Sequence, residues 1–153
     1  MNLIEVNGGN KTQREICENV AHHMISELLP RFRTLDIIIN LVTIKSEAIG
    51  FCMEQDKNQF EIELDKKLSI KDMVTALCHE MVHVKQYAKD ELHEYTMKKG
   101  HRYKGKFFSD KLDYWDEPWE IEAHGRETGL FVRWAEKNKL GKRKWTQDPG
   151  EAQ

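Results

Sequence analysis

Residues 69–89, SIKDMVTALCHEMVHVKQYAK, have the clearest structural pattern in the chain. Ser69, followed three residues later by Asp72, predicts the start of a helix, because a Ser side chain here can bond the free amides of the first turn. Apolar residues then recur at the three- and four-residue spacing of a buried helix face. They are Met73, Val74, Leu77, Met81, Val82 and Val84. We therefore expect a helix that other elements cover.

Within this helix lies an HExxH motif, HEMVH at residues 79–83. Side chains four residues apart lie on one face of a helix, so the imidazoles of His79 and His83 can reach one metal ion. Glu80 is displaced by about 100° around the helix axis, which places its carboxylate beside the ion rather than on it. Zinc lowers the pKa of a bound water toward about 7, and Glu80 is then the general base that takes its proton. The motif predicts His79 and His83 as zinc ligands.

A third ligand is expected on the helix predicted from Pro118 to about residue 138, because catalytic zinc usually has three protein ligands and one open position. Pro118 suits the first turn of that helix. The helix offers four candidate ligands, Glu120, Glu122, His124 and Glu127. Acidic residues in a first turn also complement the helix dipole, so these residues by themselves leave the third ligand open.

An HExxH motif followed some tens of residues later by EIEA, residues 120–123, resembles the gluzincin metallopeptidases. In several of those families the Glu of an ExxA stretch is the third ligand, and the resemblance therefore implies Glu120. Over residues 12–137 the order of elements is also similar to the minimal core of small phage and bacterial metallopeptidases of the SprT-like and minigluzincin types. SprT proteins proper are expected to use a third His, so His124 is an alternative ligand, and Glu122 is the other.

The resemblance implies a zinc-dependent metallopeptidase that hydrolyses bonds of a protein or peptide substrate. Such a reaction passes through an oxyanion that needs a donor besides the metal. Tyr114, just before the ligand helix, is the first candidate, and His101 and Tyr103 come next. The family picture also places an extended substrate along a sheet edge, for which Gln59–Leu64 is the predicted strand.

Two other functions compete with this interpretation. In one, zinc only stabilises the fold of a non-catalytic binding module, which would require four protein ligands. In the other, the chain is a nucleic-acid-associated SprT-like module that uses the basic and aromatic segment KKGHRYKGK, residues 98–106.

The remaining patterns predict a single α+β domain over residues 1–153, with a zincin-like core at about 12–137. Helical spacing predicts an N-terminal helix that begins at Thr12, and β-rich runs predict a mainly antiparallel sheet of three strands. The strands are expected at 36–44, 48–54 and 59–64. Three further segments are expected to lack regular structure: a lead-in at 1–10, a long loop at 98–116 and a frayed polar tail at 141–153.

Composition and charge limit the classes of partner. The 153 residues are 39% hydrophobic and 33% charged with a formal net charge of −2, which is typical of a soluble domain without general attraction to nucleic acids or anionic membranes. No run approaches the roughly 20 apolar residues that span a bilayer, and the N-terminus lacks a signal-peptide pattern. Cys17, Cys52 and Cys78 are odd in number and widely spaced, so we expect reduced thiols in a cytoplasmic protein.

Overall fold

The computed structural model of the chain describes residues 1–147. Within these residues, four helices accompany a four-stranded and a three-stranded sheet, which confirms the predicted α+β class. A single 3-10 turn, Tyr114–Asp116, precedes the third helix. The elements in chain order are β1 (Leu3–Gly8), α1 (Lys11–Leu28), β2 (Asp36–Val42), β3 (Gly50–Asp56), β4 (Gln59–Asp65), α2 (Ile70–Ala88), β5 (Leu92–Tyr95), β6 (Gly100–Tyr103), β7 (Lys106–Ser109), α3 (Pro118–Lys137) and α4 (Lys144–Gln147).

The larger sheet is mixed, with the strand order β1-β2-β4-β3. β1 and β2 are parallel, β2 and β4 are parallel, and only β3 and β4 are antiparallel. The prediction of a mainly antiparallel sheet of three strands is therefore wrong in strand number and in direction. The sequence prediction missed β1. This strand has six residues, and its inward residues Ile4 and Val6 are only partly buried.

The edge of this sheet beside α2 is β3. β4 lies between β2 and β3, so the prediction that Gln59–Leu64 is an edge strand is wrong. Along β4, Phe60, Ile62 and Leu64 are buried and the glutamates between them are only partly covered, so this sheet has one wet face. β3 ends the strand order, so its other side has no strand partner among the described residues.

α2 packs against α1, α3, β3 and β4, which places it at the centre of the fold. Its start agrees with the prediction, because the Ser69 hydroxyl accepts a hydrogen bond from the amide three residues on. α1 begins at Lys11, one residue before the predicted start at Thr12, because Asn10 caps it through reciprocal hydrogen bonds with Gln13. Buried apolar residues of these three helices and of the inner sheet face form one core. Removing that surface from water fixes the position of α2.

Much of the segment predicted as a long loop, residues 98–116, has regular structure, because β6, β7 and the 3-10 turn lie in it. Together with β5, which precedes the segment, β6 and β7 form an antiparallel sheet, which we call the accessory sheet. Lys104 and Gly105 make the turn between β6 and β7, both with positive φ. Each strand has four residues, too few for the alternation on which strand prediction depends. Trp119 of α3 packs with two buried residues of this sheet and joins it to the rest of the fold.

The predicted fraying of the tail after Gly141 is wrong for residues 144–147, which form α4. The ring centroids of Trp145 and Trp134 lie 6.4 Å apart, so an aromatic contact holds this turn to the core. The last residues of the predicted tail, 148–153, lie outside the described residues. Along residues 1–147, no helix has the length and apolar character needed to cross a bilayer. The three cysteines are free thiols.

Candidate metal centre

Three polar side chains of α2 are buried next to each other. His79, Glu80 and His83 have 8%, 7% and 6% of their surface exposed. Because burial of polar groups is costly without partners, these residues need specific ones. His79 Nε2 lies 3.3 Å from His83 Nε2, and the two rings meet at 78°. One turn of α2 therefore directs two imidazole nitrogens at the same small volume.

Glu120 faces both imidazoles from the start of α3. Its Oε1 lies 3.0 Å from His79 Nε2, and its Oε2 lies 3.1 Å from His83 Nε2. α3 begins at Pro118, whose fixed φ suits a first helical turn, and α3 packs along α2. The ligand atoms of these three residues are close enough together to hold one metal ion. We call His79, His83 and Glu120 the ligand group.

The spacing and charge of the ligand group fit a divalent ion. Two atoms that each lie about 2.0–2.1 Å from a tetrahedral zinc ion are about 3.3–3.4 Å apart, which matches the 3.3 Å between the imidazole nitrogens. Burial opposes the charge on Glu120, but hydrogen bonds from His79 and His83 hold its pKa well below the usual range. Burial also opposes charge on His79, yet Glu120 and Glu127 raise its pKa to about 10. The carboxylates thus favour positive charge between the imidazoles, as a metal ion supplies.

Glu80 lies against the start of β3, beside the ligand group. A Cβ at Gly50 would lie 3.2 Å from Glu80 Oε2, so the lack of a side chain at Gly50 lets the strand approach this carboxylate. Burial raises the pKa of Glu80, although positive charge on His83 and His79 acts in the opposite direction. A carboxyl group with a raised pKa next to a metal site is suited to accept and return a proton.

The Tyr114 hydroxyl lies at the rim of the ligand group. It is 2.8 Å from Glu120 Oε1 and 2.8 Å from His124 Nε2. Burial and the hydrogen bond to Glu120 both raise the pKa of Tyr114, so the hydroxyl keeps its proton at neutral pH. The hydroxyl donates its one proton to Glu120 in this structure. Because 44% of the residue is exposed, a molecule in the cleft with a stronger acceptor can take over this hydrogen bond.

His124 and Glu127 form a second possible metal group together with His79. Glu127 Oε1 lies 2.7 Å from His124 Nδ1 and 3.5 Å from His79 Nδ1. The two groups share His79, and the side chain of His124 is 36% exposed, against 14% for Glu120. The set with Glu120 is therefore the better enclosed one. Glu127 approaches Nδ1 of His79, the ring nitrogen that does not face Glu120. A carboxylate in that position orients an imidazole that binds a metal through its other nitrogen.

Glu122, the other alternative for the third ligand, points into a separate network. Its carboxylate accepts hydrogen bonds from four side chains, which are Lys85 (2.6 Å), Gln86 (2.8 Å), Tyr103 (3.0 Å) and Arg126 (3.2 Å). Burial opposes its charge, but the hydrogen bond from Lys85 and the other donors lower the pKa of Glu122 to about 2. With its oxygens engaged in this way, Glu122 lies apart from the ligand group.

A cleft of about 840 Å³ opens over the ligand group. Residues 47–52, which include the start of β3, line one wall, and Tyr114, Trp115 and Glu117 also line the cleft. Of the two further donor candidates, His101 lies in the cleft with its ring 4.9 Å from that of Trp119. Tyr103 points toward Glu122 and does not line the cleft. The volume is within the usual range for ligand-binding clefts.

Two residues of the site escaped the sequence patterns. Gln86 is fully buried, and its Oε1 lies 2.8 Å from His83 Nδ1. Its signal was present, because a Gln on the apolar side of a buried helix requires a polar partner. Gly50 is the second, and a glycine inside a strand is a sign of close approach by another group. Within the described part of the chain, the remaining histidines take part in neither metal group; they are His22, His23, His93 and His101.

No family model matches the chain, and no curated protein or solved structure matches it either. The likeness of its motifs to the gluzincins stays a prediction. The functional assignment therefore depends on the residue geometry of the cleft.

Proposed function

We propose that the chain is a zinc-dependent metallopeptidase that hydrolyses peptide bonds. The observation that supports this most directly is the ligand group itself: two imidazole nitrogens 3.3 Å apart, both within 3.1 Å of one carboxylate. Glu80, which lines the cleft beside His79 and His83, supplies the acid–base group that such a reaction requires. The proposal combines this geometry with the HExxH motif that produces it.

Zinc suits this donor set, because two His and one Glu form a catalytic zinc site with one open position. When bound, the ion supplies Lewis acidity to a substrate carbonyl and lowers the pKa of a water molecule. A purely structural zinc site needs a fourth protein ligand. Cys78, the neighbour of His79, is a poor one, since burial raises the pKa of its thiol to about 12.

The chain's own residues divide the remaining work. Glu80 takes the proton of the attacking water and returns it to the departing amine. Its raised pKa, which follows from burial, brings the carboxyl group closer to the working pH. Tyr114 donates its hydroxyl proton in a hydrogen bond to the oxyanion that develops on the carbonyl. Glu120, whose carboxylate faces both imidazole nitrogens, would be the third ligand.

The free side of β3 is the surface that we propose for the substrate backbone. β3 is the last strand of the sheet, and its start lines the cleft. An extended peptide can add to such an edge through main-chain hydrogen bonds. Ile49 and Phe51 are 49% and 41% exposed at this position, so they offer apolar contacts to alternate side chains of the peptide. This role replaces the one predicted for Gln59–Leu64.

Replacing the base without changing its shape tests the proposal. Glu80→Gln should bind zinc as the wild type does, in a competition assay with a chromogenic chelator. Its cleavage of a proteome-derived peptide mixture, followed by mass spectrometry, should fall about 10²–10⁴-fold, the usual contribution of a general base. Glu63→Gln, which removes a carboxylate from the wet face of β4, is the matched control and should cleave normally. Equal cleavage by wild type and Glu80→Gln would refute the role of Glu80.

Association with nucleic acid is a second candidate, favoured by the accessory sheet. Five exposed cationic residues and two exposed aromatic residues lie there; they are Lys98, Lys99, Arg102, Lys104 and Lys106, with Tyr95 and Phe107. Binding of this kind weakens steeply with salt. A titration of labelled single-stranded DNA at two salt concentrations checks it, and the absence of binding at low salt would exclude it.

A further inference from the structure

Gln86 is the most completely buried polar side chain near the ligand group, with no exposed surface. It lies one helical turn after His83 on α2, and all of its amide atoms are engaged. Its Nε2 donates to the Trp119 carbonyl at 2.9 Å and to Glu122 Oε1 at 2.8 Å. Its Oε1 lies 2.8 Å from His83 Nδ1. A buried amide with this many partners is held in one orientation.

The partners of Gln86 determine which end of the amide faces His83. The Trp119 carbonyl and the Glu122 carboxylate are both acceptors, so the amide nitrogen must point toward them. The oxygen then faces His83, and an oxygen can only accept. His83 Nδ1 must therefore carry a proton and donate it. With the Nδ1 proton held by Gln86, Nε2 is the nitrogen that can give up its proton and offer its lone pair to a metal ion in the ligand group.

Glu122 in turn holds Gln86, and three elements meet at this carboxylate. Lys85 comes from α2, Tyr103 from the accessory sheet and Arg126 from α3. Lys85 is itself buried and also pairs with Glu91 at 2.8 Å. The ion pair between Lys85 and Glu122 holds the Glu122 carboxylate in place, and this carboxylate in turn holds the Gln86 amide. The position of the His83 ring is thus connected to packing between α2, α3 and the accessory sheet.

We propose that Gln86 is the positioning residue of the metal site: it selects the Nδ1-protonated form of His83 and sets the angle of its ring. The inference rests on the proposed metal site and adds to it the group that orients one ligand. A Gln that merely filled core volume would leave metal affinity unchanged when replaced by an apolar residue of its size. Replacement of a positioning Gln would lower the metal affinity, because groups that orient a metal ligand usually change this affinity about 10–100-fold.

Gln86→Met tests the proposal, because Met has nearly the same shape and lacks the amide. Arg126→Met is the matched control, since it removes a different donor from Glu122 and has no hydrogen bond to Gln86 or His83. Zinc affinity is measured on the full chain by competition with a chelator. We expect Gln86→Met to bind zinc about 10–100-fold more weakly than the wild type, and Arg126→Met to bind within about twofold. Unchanged affinity in a folded Gln86→Met, or an equal loss in both variants, would overturn the inference.

A second measurement needs no variant and covers the case in which Gln86→Met does not fold. Nitrogen-15 NMR of the imidazoles in the zinc-loaded wild type should show a slowly exchanging proton on His83 Nδ1. In a folded Gln86→Met, where the thioether fills the same volume, this proton loses its acceptor and should exchange faster. A fast-exchanging His83 Nδ1 proton in the wild type would overturn the inference.

The two proposals fail in distinguishable ways. If the wild type binds no zinc, the proposed function falls and the role of Gln86 falls with it. If the wild type binds zinc and Gln86→Met binds it equally well, only the role of Gln86 is rejected.

Discussion

Glu122→Gln changes a carboxylate into an amide of the same shape at the meeting point of α2, α3 and the accessory sheet. The folded protein lowers the pKa of Glu122 from 4.5 to about 2, because Lys85 and the other donors outweigh the effect of burial. This side chain is 17% exposed, so solvent screens the interaction only in part. A pKa difference of about 2.5 corresponds to about 3.4 kcal/mol of folding free energy, which Glu122→Gln should remove at neutral pH.

The sign of the pH dependence follows from the lowered pKa. A group whose pKa is lower in the folded state stabilises the protein above its unfolded pKa of 4.5, and this stabilisation disappears as the pH falls toward 2. The gap in unfolding free energy between wild type and Glu122→Gln should therefore narrow on acidification. From the two pKa values, it falls from about 3.4 kcal/mol at pH 6 to about 1.4 kcal/mol at pH 3.

Urea unfolding followed by circular dichroism measures this gap at each pH. Excess chelator is present throughout, so that metal binding adds no pH dependence of its own. The loss at neutral pH can exceed the value from titration, because Glu122→Gln leaves Lys85 with Glu91 as its one carboxylate partner. The narrowing of the gap is the specific signature. A gap that stays constant between pH 6 and pH 3 would contradict this prediction, since Glu122 would then titrate alike in the folded and unfolded states.

Two further substitutions probe the cleft. Tyr114→Phe should keep zinc affinity within about tenfold and lower kcat about 10²–10³-fold at equal zinc occupancy, as loss of an oxyanion donor does; an unchanged kcat would remove Tyr114 from the mechanism. Gly50→Ala places a methyl group 3.2 Å from Glu80 Oε2 and 3.0 Å from Leu64 Cδ2, so we expect a lower kcat and a loss of about 1–3 kcal/mol in thermal unfolding. Gly125→Ala, a helix position with open space around it, is its control and should gain about 0.5–1 kcal/mol. Equal behaviour of the two Ala variants would show that Gly50 does not set the approach of β3 to Glu80.

The three long helices, α1, α2 and α3, were the predictable part of the fold. α2 and α3 are long and strongly patterned, and a Ser at the start of one and a Pro at the start of the other mark their first turns. Helical spacing over about twenty residues outweighs local ambiguity. The strands at the three predicted positions are also present, because their β-branched and alternating residues reflect one buried face.

The topology of the sheets was beyond the reach of local pattern. β1 pairs with β2 across the whole of α1, and nothing in a six-residue run specifies that partner. The order in which β4 separates β2 from β3 is likewise decided by packing against the helices. The buried residues of the accessory sheet pack against Trp119, which lies about ten residues beyond its last strand. Long-range contacts therefore determined the elements that the sequence patterns missed.

The candidate site also has a part that local spacing predicts and a part that long-range contacts determine. The spacing of His79 and His83 puts them on one face by helix geometry alone. Glu120 reaches them only because α3 packs along α2, and the sequence left it beside two alternatives. Gln86 required knowledge of the acceptors around it, which come from residues 33 and 36 positions further along the chain.

The enclosure of α2 has a consequence for reading mutational scans of this protein. Thirteen of its nineteen residues are buried, and the motif residues are among them. Intolerance to substitution would therefore extend along the whole helix, and would not single out the candidate metal site. Only exchanges that conserve shape, such as carboxylate to amide or amide to thioether, separate chemistry from folding on this helix.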